Sequence, residues 1–376
     1  MSEEIVKTRL LSLDVFRGMT IAGMVLVNNP GTWSAIYPPL EHAEWNGLTP
    51  TDLIFPFFLF IVGVAIPIAL GKRINEGITK DVYLKIIRRS LLIFGIGIFL
   101  TLFPKFDFIN LRIPGVLQRI AVCYLVVSIL YLHTNWKQQL GIGIGLLLVY
   151  WFLITSVPVP GCAVTTMDDK ACNLAAYIDM QIFGIRHIWQ QAKVYDPEGI
   201  LSTLPAFVTT IAGVLTGTWL KMKRTDQEKV NGLFFFGVSL LVVGWIWSYF
   251  FPFNKALWTS SYVVYTAGLA LCFLGFCYWL IDIQGYKRWA KPFIIFGVNA
   301  LALYIFSGIF ADLIGSVIQF TGADGEKTSL QEWIFQNVFL AIASPINASL
   351  MFAISFILFF LFIMWLLYRK QIYIKV

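Results

Sequence analysis

Ten apolar stretches of about helix length, separated by polar connections, run along the 376-residue chain. A helix that crosses a membrane needs about 20 predominantly apolar residues, and turn signals rather than short alternating strands separate the stretches, which disfavours a β-barrel. The pattern predicts an all-α, polytopic transmembrane bundle of about ten helices. The predicted spans are Leu13–Val27, Leu53–Leu70, Leu84–Phe103, Val116–Leu132, Leu140–Val157, Leu201–Leu220, Leu233–Phe251, Val263–Leu280, Phe293–Val317 and Ile346–Leu367.

The composition excludes a soluble globular protein. Hydrophobic residues make up 58% of the chain and charged residues only 13%, whereas a soluble domain carries about 25% charged residues. Aromatic residues make up 16%, which excludes a disordered chain. In a membrane protein the net charge of +7 mostly records orientation, so no nucleic acid partner is predicted.

The basic residues predict the orientation of the bundle. If the N-terminus lies in the cytoplasm, 20 of the 28 Lys and Arg residues fall on the cytoplasmic side, as the positive-inside rule requires. Ten spans then place both termini in the cytoplasm. No signal peptide pattern is visible at the start of the sequence. We expect one transmembrane domain over residues 1–376.

The longest outside connection, at about residues 158–200, contains Cys162 and Cys172. An oxidising exterior would let these two cysteines form a disulfide, and closing so short a loop stabilises by about 2.5–3 kcal/mol on the chain-entropy model. The alternative is two independent thiols. The other three cysteines fall inside predicted helices, where they are interpreted as small packing residues.

Motifs for several chemistries are absent from the sequence. It has no Cys-x-x-Cys pair, no histidine pair at helical spacing and only three histidines, so no metal site is predicted. It also lacks a phosphate loop, a dinucleotide fingerprint and a Gly-x-Ser-x-Gly nucleophile motif. Few candidates for catalytic chemistry remain.

Polar groups concentrate in the first outside connection, around His42. Histidine is suited to general base work near neutral pH, although a surface-loop histidine is the simpler interpretation. Asp52 follows Thr49 and Pro50 where a helix opens, so it fits a helix cap. It could equally orient the imidazole of His42. Asn28 ends the first span and fits an Asn cap.

Ionisable residues near the helix ends allow two interpretations. Asp14 and Arg17 lie one helical turn apart. They could form an ion pair with each other, or Arg17 could face a phosphate-bearing ligand. Arg89 could bind phosphate in the same way, or anchor the helix at the interface. Arg112 and Gln118, at the outer end of the fourth span, could hold carboxylates or polar groups of an acceptor, or serve as anchors.

Several segments resemble the heparan-α-glucosaminide N-acetyltransferase family, and they match in order along the whole chain. The matching segments are SLDVFRG at Ser12–Gly18, HAEWNGLTPTDLIFPFFLFIVG at His42–Gly63, RIPGVLQR at Arg112–Arg119, VPGC at Val159–Cys162, ACNLAAYID at Ala171–Asp179, YDPEGILST at Tyr195–Thr203, NKALWTSSYV at Asn254–Val263, FGVNA at Phe296–Ala300 and LYRKQIY at Leu367–Tyr373.

The resemblance implies a transmembrane acetyltransferase. It would take acetyl-CoA from the cytoplasmic side and acetylate the amine of a terminal glucosamine or similar amino sugar on the far side. The essential histidine of the family corresponds to His42, and Asn28 and Asp52 match its polar active-site positions. His42 would then act as base, Asp52 would hold its tautomer, and Asn28 or Asn46 would donate to the carbonyl oxygen.

Several expectations complete this interpretation. The protein is expected to be a multi-pass protein of the bacterial inner membrane, surrounded by lipid, and a homodimer is one arrangement to expect. A membrane O-acyltransferase acting on surface glycans, a multi-helix transporter and a structural or assembly membrane protein remain open alternatives. The residues expected to bind the donor are Asp14, Arg17, Arg89 and Asn299, and those expected to contact the acceptor are Trp45, Arg112, Gln118, Glu198 and Trp258.

Overall fold

Helices account for nearly all regular structure in residues 10–321 and 327–374, the part of the chain that this computed structural model describes. A two-stranded antiparallel hairpin pairs β1 (Gln319–Thr321) with β2 (Lys327–Ser329). The helices are α1 Leu11–Asn28, α2 Ile54–Glu76, α3 Lys80–Leu102, α4 Val116–His133, α5 Trp136–Ser156, α6 Leu174–Phe183, α7 Thr203–Lys221, α8 Asp226–Ser248, α9 Ser260–Cys277, α10 Lys291–Val298, α11 Ala300–Asp312, α12 Leu330–Ile334 and α13 Pro345–Arg369.

The predicted fold class is confirmed. Within the described residues, nine helices are long and apolar enough to cross a membrane. A tenth, α3, is equally long but carries several charges in its first half, among them Lys85, Arg88 and Arg89. The short helix α6 lies in the long connection between α5 and α7. The bundle is therefore a polytopic all-α membrane fold, and its orientation in the membrane stays a prediction.

The ninth predicted span is not one continuous helix, which corrects the prediction. The chain leaves the helical conformation at Asn299, between α10 and α11, where φ is −124° and ψ is 32°. On one side of this break, α10 touches the backbone of α1. A Cβ atom at Gly18 would lie 1.8 Å from the carbonyl oxygen of Phe293, and one at Gly297 would lie 2.0 Å from that of Asp14.

Helices α2 and α7 also meet backbone to backbone. A Cβ atom at Gly63 would lie 2.0 Å from the carbonyl oxygen of Thr210, and one at Gly213 would lie 2.1 Å from that of Phe60. Small residues permit such close approach between membrane helices. Because α2 is fixed on α7 along this line, its opposite side is free to line the interior of the bundle.

The connections fall at the two ends of the bundle. We call the end that holds His42 the His42 face, and the end where α1 begins and α13 ends the terminal face. Connections on the His42 face are joined by backbone hydrogen bonds. The nitrogen of Gly47 donates to the oxygen of Phe253 at 2.8 Å, and that of Ile113 donates to His187 at 2.9 Å. The loops thereby form one cap over this end.

The cap contains the predicted disulfide. Cys162 and Cys172 are bonded to each other in the connection between α5 and α6, which confirms that prediction. The backbone nitrogen of Thr166 donates to the oxygen of Cys172 at 3.1 Å, which closes the small loop further. This loop contacts the His42 segment, because the indole nitrogen of Trp45 donates to the oxygen of Met167 at 2.8 Å.

Candidate active site

The imidazole of His42 and the carboxylate of Asp52 form a hydrogen-bonded pair on the His42 face. Nδ1 of His42 lies 2.7 Å from Oδ1 of Asp52, and Asp52 is only 1% exposed. The other carboxylate oxygen accepts from the backbone nitrogens of Ala43 and Thr49, both at 3.1 Å. The contacts expected for a helix cap and for an orienter of His42 therefore occur together at Asp52.

Local structure fixes the position of this pair. Pro50 opens a short 3₁₀ turn, Pro50–Leu53, that runs directly into α2. The hydroxyl of Tyr262, which is fully buried in α9, donates to the backbone oxygen of Asp52 at 2.6 Å. The carboxylate is thus held by its own turn and by a second helix, while half of the His42 side chain remains exposed.

The sequence analysis did not single out Lys255, which completes the cluster. Its Nζ lies 3.0 Å from Nδ1 and 3.2 Å from Nε2 of His42, and 3.7 Å from Oδ1 of Asp52. Burial lowers the pKa of the Lys255 ammonium, while the negative charges of Asp52 and Glu198 oppose that change. The one available sequence signal was its place in the matching segment at Asn254–Val263.

The loop that carries Lys255 is pinned by buried amides. Asn254, which is fully buried, accepts from the backbone nitrogen of Leu257 at 2.8 Å and donates to Oδ1 of Asn46 at 3.0 Å. Asn46 in turn donates to Asp168 at 2.6 Å. The amide oxygen and the amide nitrogen of Asn46 therefore both bond to residues of neighbouring loops. Of the two candidate donors to a carbonyl oxygen, only Asn28 lines the cavity described next.

A cavity of about 610 Å³ connects the two ends of the bundle. On α2 its lining extends from Ile54 to Leu70, which corresponds to about 24 Å at 1.5 Å per residue. The hydrocarbon core of a bilayer is about 30 Å thick. The cavity therefore crosses most of the membrane-embedded part of the protein. Its wall includes Arg17 and Arg89 towards the terminal face and His42 at the other end.

Arginine side chains line the terminal end of the cavity. Nη1 of Arg17 lies 3.2 Å from Oδ1 of Asp14 and donates to the oxygen of Gly297 at 3.2 Å. The guanidinium of Arg89 lies over the ring of Tyr124, 4.9 Å from its centroid. Asp14 does not line the cavity and instead pairs with Arg17, as one of the two sequence interpretations proposed.

Asn299 is close to the cavity but does not line it. Its Nδ2 donates to the oxygen of Ile372 at 3.0 Å, and its Oδ1 accepts from the nitrogen of Ile374 at 2.9 Å. The amide nitrogen and the amide oxygen of Asn299 therefore both bond to the segment that follows α13. Ile374 itself lines the cavity, together with Val298 and Ala300 on either side of the break.

At the opposite end, Arg112 and Glu198 line the cavity beside Lys255. The guanidinium of Arg112 donates to both oxygens of Asp196, at 2.8 and 2.6 Å, and also to Glu198. Among the described residues that line the cavity, Glu198 is the one carboxylate. Because Asp196 is 3% exposed and Arg112 is fixed by it, Glu198 has a defined position.

Three predicted acceptor contacts do not line the cavity. Trp258 is 1% exposed and donates to Thr209 at 3.1 Å. Gln118 is buried, and Trp45 packs edge-to-face on Tyr195 with ring centroids 4.9 Å apart. The structure therefore separates these three residues from Arg112 and Glu198, which line the cavity.

Comparison with known proteins identifies a family and two similar proteins. A family described as Domain of unknown function (DUF5009) matches residues 9–219. The chain belongs to this family. It is also similar to Heparan-alpha-glucosaminide N-acetyltransferase of Homo sapiens, with 30% identity over 427 aligned positions that cover 98% of this chain. The resemblance inferred from the sequence motifs is confirmed.

The Mus musculus protein of the same name is 28% identical over 385 positions, which cover 88% of this chain. The match covers 60% of the human protein and 57% of the mouse protein. The chain therefore spans somewhat more than half the length of the curated relatives that it matches.

Proposed function

We propose that the protein is a transmembrane acetyltransferase that transfers the acetyl group of acetyl-CoA to the amine of an amino sugar, such as a terminal glucosamine. The observation that carries this proposal is one cavity whose lining includes Arg17 and Arg89 towards the terminal face and His42, paired with Asp52, at the other end. The names of the two relatives support the same reaction class.

The shape and charge of the cavity suit acetyl-CoA as the donor. Its phosphates are anionic, and Arg17 and Arg89 offer guanidinium groups, which bind phosphate well. The middle of the cavity is lined by apolar side chains such as Ile61, Val62 and Ile93, against which the methylene groups of the pantetheine arm can pack. The thioester would then lie near His42.

The proposed reaction uses His42, Asp52 and Asn28. A neutral amine attacks the thioester carbonyl carbon, the N–C bond forms, and the C–S bond breaks. Nε2 of His42 takes the amine proton and returns it to the sulfur, so that CoA leaves as a thiol. Asp52 holds the imidazole from Nδ1, and Asn28 is placed to donate to the developing oxyanion.

Glu198 favours an amine as the acceptor. This carboxylate, which also pairs with Arg112, lies at the His42 end of the cavity and would attract the acceptor as an ammonium group. The ammonium loses one proton to solvent before the neutral amine attacks, and a neutral hydroxyl would gain much less from the carboxylate. Glucosamine, named for the relatives, presents such a group next to ring hydroxyls. Trp189 also lines this end of the cavity and offers an apolar surface for a sugar ring.

The decisive measurement is release of CoA thiol by the purified protein with a panel of amino sugars and with N-acetylglucosamine as the matched control acceptor. We expect thiol release and N-acetylated product with glucosamine, and neither with the control or with His42→Ala. Product from glucose but not from glucosamine would point to O-acylation. No thiol release with any acceptor, in protein that remains folded, would contradict the proposal.

The proposed direction of transfer rests on the basic residues, whose distribution favours a cytoplasmic terminal face. A bacterial inner membrane is proposed as the location. Vesicles with the protein in one orientation test the direction, with acetyl-CoA on one side and glucosamine on the other. We expect product when acetyl-CoA meets the terminal face and glucosamine meets the His42 face. Product only when both are on the same side would contradict transfer across the membrane.

A further inference from the structure

Lys255 makes an unusual contact for a lysine next to a catalytic base. Its Nζ is within hydrogen-bond distance of both ring nitrogens of His42, at 3.0 and 3.2 Å. It also lines the cavity. An ammonium group has three donors and no acceptor, so any hydrogen bond between the two side chains must use a lone pair of the imidazole.

The position of that lone pair follows from Asp52. Oδ2 of the carboxylate accepts hydrogen bonds from the backbone nitrogens of Ala43 and Thr49. Oδ1 lies 2.7 Å from Nδ1 of His42. Nδ1 must therefore carry the proton, and the lone pair lies on Nε2. Nζ of Lys255 lies nearly as close to one ring nitrogen as to the other, so the ammonium is beside the ring and not in line with the Nε2 lone pair. Its positive charge at this position opposes a positive charge on the imidazole.

The two neighbours of His42 act in opposite directions on its charge. The buried carboxylate of Asp52 favours the imidazolium, and a cation beside the ring disfavours it. Further ionisable groups near this cluster come from other elements and include Glu198, Arg112, Arg119, Tyr262 and Tyr304. Among the cations, Arg112 is occupied by Asp196 and Glu198, and Arg119 donates to Gly199 and Ser202. Lys255 is the cation in contact with the imidazole.

We propose that Lys255 is a positioning residue that keeps the imidazole of His42 neutral, with its lone pair on Nε2, until the acceptor amine arrives. The proposal rests on the proposed function, in which that lone pair receives the proton of the amine. The acceptor amine then meets Nε2, while the ammonium of Lys255 stays beside the ring and close to Asp52 and Glu198. A base that is already neutral and correctly oriented needs no further reorganisation.

The dependence of kcat/KM on pH tests this role, because its acidic limb reports protonation of the base in the free enzyme. In Lys255→Met we expect the limb to move to higher pH by about one to three units, the size of shift that a neighbouring charge commonly causes. Activity near neutral pH should fall by about tenfold for each unit and recover at alkaline pH. Lys255→Arg should keep the limb close to its original position.

Lys105→Met is the matched control, because Lys105 is exposed in a connection of the same face and does not line the cavity. It should leave the profile unchanged. A Lys255→Met protein that is slower at every pH by the same factor, with the limb unmoved, would overturn the proposal.

A second readout does not need turnover. The chain has three histidines, so ¹³Cε1-labelled histidine gives three signals, and His42→Ala identifies the one of interest. The titration midpoint of this signal should rise in Lys255→Met without acetyl-CoA present. An unchanged midpoint would overturn the role of Lys255 even if acetyl transfer is observed. A raised midpoint in protein that transfers no acetyl group would refute only the proposed function.

Discussion

At the scale of single residues, one carboxylate performs two tasks in the candidate site. Oδ1 of Asp52 meets the imidazole, and Oδ2 closes the turn that begins at Thr49. Because these tasks use different atoms, a substitution can separate them. Asparagine keeps an oxygen that can accept from the turn, but it removes the negative charge that fixes the tautomer of His42.

We therefore expect Asp52→Asn to remain folded and to lose acetyl transfer by a factor on the order of 10²–10⁴, as for other base–orienter pairs. His42→Ala should be inactive. Thermal unfolding in detergent checks the fold, and CoA thiol release checks the activity. Asp52→Asn activity within threefold of the wild type would show that Asp52 is only a cap.

The sequence predicted part of this cluster and not the rest, for identifiable reasons. His42 and Asp52 lie ten residues apart in one polar connection, so a local pattern and the family resemblance both reached them. Lys255 lies 213 residues from His42, and no periodicity relates the two loops. Asn46 looked like a donor because its type was right, but its amide is used by Asn254 and Asp168.

At the scale of elements, the disulfide loop supports the segment that carries His42. It closes residues 162–172 and accepts a hydrogen bond from Trp45 through Met167. We expect both cysteines to resist alkylation until the protein is reduced. Cys172→Ser should lower the free energy of unfolding by about 2.5–3 kcal/mol on the chain-entropy model. Two thiols that react freely in unreduced protein would contradict the observed bond.

The contact between α2 and α7 gives a second prediction at this scale. A side chain at Gly213 would meet the backbone of Phe60 at 2.1 Å, so Gly213→Leu should force the helices apart and destabilise the protein by about 1–3 kcal/mol or more. Gly141→Leu is the control, because a Cβ atom there has nothing within 4 Å. Thermal unfolding should separate the two variants, and equal melting temperatures would refute the prediction.

The helices themselves were largely predictable, because apolar runs of helix length have few alternatives in a membrane. The break at Asn299 was not predictable, because the sequence is apolar on both sides of it and the pattern indicates one continuous span. Its causes are tertiary. The Asn299 amide bonds to the segment after α13, and Gly297 brings α10 against the backbone of α1. A local pattern carries neither contact.

At the scale of the whole molecule, charge is arranged along the cavity. Arg89 is the cleaner probe of donor binding, because removing Arg17 would leave its partner Asp14 without that ion pair. Arg89→Gln should weaken acetyl-CoA binding by about 1–3 kcal/mol if a charge-assisted phosphate contact is lost. Calorimetry with CoA measures this.

Arg73→Gln is the matched control, since Arg73 pairs with Glu76 at an exposed helix end and does not line the cavity. The KM for the amino sugar should change little in either variant. Equal CoA affinities for the two variants would remove Arg89 from the donor site.

The apolar middle of the cavity has an electrical consequence. A water-filled path between the two faces would carry protons down a membrane potential, at about 2.3 kcal/mol per charge for each 100 mV. Side chains such as Ile61, Val62, Ile66 and Ile93 line this part of the cavity, and an apolar lining disfavours the continuous water that would conduct protons. Proteoliposomes should therefore hold a proton gradient as well as protein-free liposomes do, and Ile61→Asp should make them leak.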